Sequence, residues 1–75
     1  MNDAEALEAW KLCQELRAPE GSSLTLICDN PDFNDQPNNR VEVCADWTGF
    51  DTLAFTGNTI IEALRSAHSR MKELS

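Results

Sequence analysis

The sequence predicts an α+β domain of order αβββα: a three-stranded antiparallel sheet with two helices packed on one of its faces. Three observations carry this expectation. Apolar residues recur at helical spacing in one stretch near each end of the chain. Three short β-type runs lie between them, separated by turn-forming residues. The seventy-five residues make one domain, 1–75, with a thin core and no room for a large substrate cleft.

Asp3 suits the cap of a first helix, and Glu5 and Glu8 suit the positive end of its dipole. Ala6, Trp10, Cys13 and Leu16, widened by Leu7 and Leu12, supply an apolar stripe. Arg17 favours the carboxyl end and Pro19 with Gly21 stops the helix, so it spans about residues 3–17. Ser23 to Asp29 reads as a strand, with Leu24, Leu26 and Cys28 on one face and Thr25 and Ile27 on the other. The stretch Asn30 to Asn39 holds two prolines and four asparagines and is a loop. It is long for a hairpin connection, and such loops are often functional.

Arg40 to Trp47 is the clearest strand. Val41, Val43, Ala45 and Trp47 alternate with Glu42, Cys44 and Asp46, the first set facing the helices and the second facing water. Thr48-Gly49 supplies a turn, and Phe50 to Thr56 a third strand with Leu53 and Phe55 on one face. Thr59 and Glu62 form a capping box ahead of a second helix, about residues 60–74. Its apolar stripe is Ile60, Ile61, Leu64, Ala67, Met71 and Leu74; Arg65, Arg70 and Lys72 lie opposite. The helices are expected to cover Val41, Val43, Trp47, Leu53 and Phe55. Ile27 and Cys44 on the outer sheet face would make a partly apolar patch, pointing to a partner or a dimer.

Thirteen acids against six bases give a formal charge of −7. Such a chain repels nucleic-acid phosphates and anionic membranes, so direct DNA or RNA binding would need a segregated basic face. The charge is uneven. Glu20, Asp29, Asp32, Asp35, Glu42, Asp46 and Asp51 share their span with Arg40 alone, whereas the second helix carries a small positive excess. Cys13, Cys28 and Cys44 are odd in number, lack CxxC spacing and sit in apolar runs. That pattern fits small buried hydrophobes in a reducing, cytoplasmic compartment rather than a disulfide framework or a zinc site. The amino-terminal residues do not read as a signal peptide, and no apolar run approaches the length of a membrane span.

No catalytic constellation is legible, and a non-enzymatic protein without cofactor or metal is expected. The single histidine, His68, lies beside the second helix's apolar stripe among basic residues, without an evident nucleophile to serve. Cys13 lies on an apolar helix face, where a thiol is inert. The glycines Gly21, Gly49 and Gly57 are too scattered for a phosphate loop. Asp29, Asp32, Asn34 and Asp35 offer calcium-type ligands, but the EF-hand glycine and terminal glutamate are missing. Trp47 and Phe50 flank the Thr48-Gly49 turn, and whichever is exposed is the strongest hot-spot candidate on the molecule.

Three resemblances follow. The αβββα order is similar to the double-stranded RNA-binding domain. That family binds RNA through a basic cluster opening its second helix, where this chain has Thr59-Ile60-Ile61-Glu62-Ala63-Leu64 and no lysine, so the resemblance implies the fold and not the function. The ten residues Phe55-Thr56-Gly57-Asn58-Thr59-Ile60-Ile61-Glu62-Ala63-Leu64 look like the strand-to-helix junction of HicB-type antitoxin domains, whereas the leading helix and the Asp/Asn-rich loop do not. The stretch from Cys28-Asp29-Asn30-Pro31 through Val41-Glu42-Val43-Cys44-Ala45-Asp46-Trp47 to Gly57 resembles the small acidic proteins of tailed phages and prophages. Those include anti-CRISPR and other anti-defence inhibitors, which act by binding, and the resemblance implies such a role in a host cytoplasm.

Two functional expectations stand side by side. In one, a rigid display of carboxylates mimics nucleic acid and occupies a basic host protein that normally holds phosphates, with Asp29, Asp32, Asp35, Glu42, Asp46 and Asp51 supplying charge and Trp47 a contact. In the other, the chain is a non-catalytic regulatory module that pairs through its sheet, as antitoxin-like domains do, with Ile27 and Cys44 in a homodimer interface.

Overall fold

A computed structural model describes residues 2–28 and 39–74 and has the predicted architecture. Helix α1 (Asp3–Arg17) is followed by strands β1 (Ser23–Cys28), β2 (Asn39–Cys44) and β3 (Leu53–Gly57), and helix α2 (Ile60–Leu74) closes the order. The strands form one antiparallel sheet in the order β1-β2-β3. Its register places Leu24, Val43 and Leu53 in one cross-strand row and Leu26, Val41 and Phe55 in the next, both on the face that meets the helices. The opposite face carries Thr25, Glu42 and Ala54, then Ile27, Arg40 and Thr56.

The core is small. Leu12 and Leu16 of α1 meet Ile61, Ala63, Leu64 and Ala67 of α2 over Val41, Val43 and Ala45. Leu16, Leu64, Val41 and Val43 are fully buried and anchor it. Helix α2 covers β2 and β3, whereas α1 lies mainly against α2 and only touches β1. Leu26 therefore remains exposed at the β1 edge although it points to the helix side.

Four local expectations need correction. The cap of α1 is Asn2, whose side chain accepts the Glu5 amide at 2.8 Å; Asp3 sits inside the first turn, where its charge favours the dipole. The buried face of α1 is the Leu12–Leu16 line with half-buried Ala9 and Cys13, so Ala6, Leu7 and Trp10 are exposed. Trp10 lies about 160° round the helix from Leu12, so both cannot face α2. Strand β2 ends at Cys44 and β3 begins only at Leu53, because a 3-10 turn over Asp46–Thr48 takes residues that the alternation assigned to strands. Finally, Glu62 of the capping box reaches past Thr59 to accept the Asn58 amide at 2.9 Å, while Thr59 accepts the Glu62 amide at 3.3 Å.

Gly57 makes that last junction possible. A Cβ there would lie 2.8 Å from Glu62 Cβ, 3.0 Å from the Ala63 amide nitrogen and 3.2 Å from the Thr59 carbonyl oxygen. Only glycine lets the first turn of α2 sit so close to the strand. Asn39 at the start of β2 ties down the same corner by donating to the Asn58 carbonyl at 2.8 Å.

Two polar clasps join the helices. Arg65 of α2 donates to both carboxylate oxygens of Glu8, at 2.6 and 2.9 Å, and His68 of α2 meets Glu15 of α1. The hydrogen bond from Arg65 holds the Glu8 carboxyl below the usual carboxylate range. A lowered folded-state pKa means that this contribution to stability is fully present above the ordinary value of 4.5 and is lost as Glu8 protonates below it.

Two predictions follow from this packing. Glu8→Gln should lower the melting temperature at neutral pH and flatten its decline below pH 4.5; equal pH slopes for the two proteins would mean that the clasp adds nothing. Gly57→Ala should cost about 2 kcal/mol, because the new methyl meets backbone and a Cβ rather than a flexible side-chain end. For a domain of this size that is a fall of roughly 10 °C in thermal melts followed by circular dichroism.

Candidate functional site

The connection between β2 and β3 is held by a dense set of short-range hydrogen bonds. Ala45, buried at its start, donates its amide to Thr48 Oγ1 at 3.0 Å, and the same hydroxyl donates back to the Ala45 carbonyl at 2.7 Å. The Thr48 amide also donates to that carbonyl at 3.1 Å, and the Gly49 amide to the Asp46 carbonyl at 3.0 Å, closing the 3-10 turn. Asp46 Oδ1 accepts the Trp47 amide at 2.8 Å. Gly49 then takes a left-handed conformation, φ +71°, which costs a glycine little.

Phe50 takes one too, at φ +63°, and it is the one described non-glycine residue with a positive φ. For a bulky side chain this conformation costs about 1–2 kcal/mol. It is held from both ends: the Phe50 amide donates to the Ala45 carbonyl at 2.9 Å, and Cys44 Sγ donates to the Phe50 carbonyl at 3.2 Å. The strain brings no burial in return. The side chain is 61% exposed, although a turn reversing at this point could carry a small polar residue at lower cost. Asp46 and Asp51, both exposed, flank it in sequence.

Trp47, expected as a contact residue, is half-buried. Its ring lies 6.4 Å from that of Phe55, tilted by 39°, and packs against the core. With Pro19, Asp46, Met71 and Leu74 it lines a cleft of about 460 Å³. The indole Nε1 is buried and makes no hydrogen bond. Among the expected site residues, the turn thus brings together Asp46, Trp47 and Asp51. Glu42 stands apart on the outer sheet face, where Arg40 Nε donates to its carboxylate at 3.3 Å and offsets its charge. Asp29, Asp32 and Asp35, like the rest of the predicted 30–38 loop, lie outside the described residues.

Phe50, rather than Trp47, is the exposed member of the aromatic pair and so joins the candidate site. The signal was available in the parity of the second strand, since Trp47 shares the phase of the buried valines and Phe50 does not. The positive φ was not legible, because the sequence there reads as the opening of a β-strand.

The three cysteines, expected to be buried, are not: Cys28 is exposed at the end of the edge strand β1, and Cys13 and Cys44 are half-buried. His68 is half-buried and engaged with Glu15. Burial pushes the Cys13 thiol up, away from the reactive thiolate. Cys44 is half-buried and donates within the turn, and Ile27 is half-buried rather than openly displayed. Among the described residues no cluster of His, Cys, Asp and Glu could hold a metal ion, and no helix is long and apolar enough to cross a membrane.

The orphaned indole N–H gives a stability prediction. Leaving a buried donor unpaired costs about 1–3 kcal/mol, so Trp47→Phe, which removes the donor and keeps an aromatic ring, should cost less than about 1 kcal/mol. Chemical denaturation checks this, and a loss above about 3 kcal/mol would mean that the indole is satisfied in solution.

The chain matches no protein-family model, no curated protein sequence and no solved structure.

Proposed function

We propose that the chain is a non-catalytic binding protein that presents Phe50, flanked by the carboxylates of Asp46 and Asp51, to a basic protein partner of the nucleic-acid-binding kind. The observation that carries this reading is Phe50 itself: a bulky aromatic, 61% exposed, held at φ +63° by hydrogen bonds on both sides. Strain of this kind persists where a fixed geometry serves recognition, and an exposed aromatic on a rigid turn is the commonest form of binding hot spot. The carboxylates add steering toward a positive surface, supported by the net charge of −7. Inhibition of a host defence protein by a phage-type protein is the biological setting that best suits a small acidic binder of this kind. Phosphate mimicry in the full sense would draw as well on Asp29, Asp32, Asp35 and Glu42.

The test separates stability from binding. Phe50→Gly removes both the side chain and the strain, so its melting temperature should equal or exceed that of the parent. Its affinity for a partner captured from host lysate should nevertheless fall by at least about 30-fold, the loss expected of a hot-spot residue. Asp46→Lys with Asp51→Lys should slow association and remove its salt dependence. A partner that binds the Phe50→Gly protein as tightly as the parent would sink the proposal.

A further inference from the structure

Helix α1 is apolar on two sides. Leu12 and Leu16 face the core, yet Leu7 and Trp10 are 56% and 62% exposed. They belong to an outward line of five exposed residues, Asp3, Leu7, Trp10, Gln14 and Arg17. Their spacing of four, three, four and three is that of a coiled-coil seam. At 100° per residue the line occupies about 80° of the helix surface, centred about 160° from the Leu12–Leu16 line. It therefore points away from α2 and the sheet, and among the described residues nothing needs it for packing.

The ends of the line carry opposite charge. Among the described residues neither Asp3 nor Arg17 forms an ion pair within the chain. Trp10 lies at the midpoint, with Asp3 seven residues to one side and Arg17 seven to the other. A line with acid at one end, base at the other and an aromatic at its centre is complementary to itself when reversed. Two copies related by a two-fold axis at Trp10 would stack the tryptophans, set each Leu7 beside Cys13 and Gln14 of the second copy, and bring each Asp3 to the second copy's Arg17. A parallel pairing would set Asp3 against Asp3 and Arg17 against Arg17. Ala6 beside the line is exposed and small, so it leaves room for Gln14 of the second copy.

We infer that α1 is a homodimer interface, an antiparallel helix pair centred on Trp10 and closed by two Asp3–Arg17 ion pairs. This surface is separate from the sheet, and it does not depend on the binding role of Phe50. One helix pair about 22 Å long buries an area near the lower limit for stable association, so the dimer is reversible and of micromolar strength.

Sedimentation velocity from about 1 μM to about 1 mM reads the association over the range such a seam allows. The intact chain should pass from monomer to dimer across that range. Trp10→Ser should weaken dimerisation about tenfold or more while leaving the thermal melt within a degree or two, since the side chain makes no core contact. Asp3→Arg and Arg17→Asp should each weaken it by placing like charges together, and the double variant should restore it. The same double variant places both charges against the helix dipole, so its melting temperature should be the lowest of the set. Restored association in the least stable protein is a pattern that a general loss of folding cannot produce. A chain that stays monomeric at about 1 mM, a dimer indifferent to Trp10→Ser, or a double variant no tighter than the singles would each overturn the inference.

Discussion

The molecule depends on the burial of one face of α2 against the middle strand. Ile61, Leu64 and Ala67 close over Val41 and Val43, and these five residues belong to a core of nine among the described residues. A 75-residue chain has a net stability of about 4–11 kcal/mol, so a core this small leaves little margin. Other features serve this contact. Gly57 lets α2 start hard against β3, the Thr59–Glu62–Asn58 hydrogen bonds fix its first turn, and Asn39 holds the neighbouring strand to the same corner. Helix α1 is secured at second hand, through α2.

The turn between β2 and β3 shows a different allocation of free energy. A dense set of short-range hydrogen bonds around Ala45 and Thr48 stabilises a backbone conformation that Phe50 would not adopt alone. Trp47 inside the turn is packed on the core, which makes the loop stiff at one residue and open three residues later. In the proposed binding role, an aromatic placed this way would lose little conformational freedom on meeting a partner.

Much of the architecture was legible in the sequence because periodicity reports burial, and burial makes the fold. The Val41–Val43 phase and the capping threonine did so correctly, and so did the α2 stripe at Ile61, Leu64 and Ala67; Leu74 at its end is exposed, and the buried Ala63 was not in the expected stripe. The first helix misled because two apolar lines share it, and spacing alone cannot say which of them meets the core. Leu12 and Leu16 win because theirs is the line that joins the core shared with α2, and that is a fact about packing between distant segments. The strand boundaries misled because Thr48 and Gly49 have local turn chemistry that overrides alternation. Of the site, acidity and the aromatic pair were visible. The division of labour within that pair depended on a left-handed φ that no residue type announces when it falls on phenylalanine.

The clasp between Glu8 and Arg65 spans fifty-seven positions of sequence. It belongs to an interface between α1 and α2, which stand at opposite ends of the described element order. During synthesis α1 therefore emerges before the helix it packs on, and the sheet that follows emerges before the helix that covers it. Local hairpin pairing can form early, but the cooperative native state must wait until α2 is out. In that interval both apolar lines of α1 are uncovered, which makes nascent chains the stage most open to capture by chaperones or by one another.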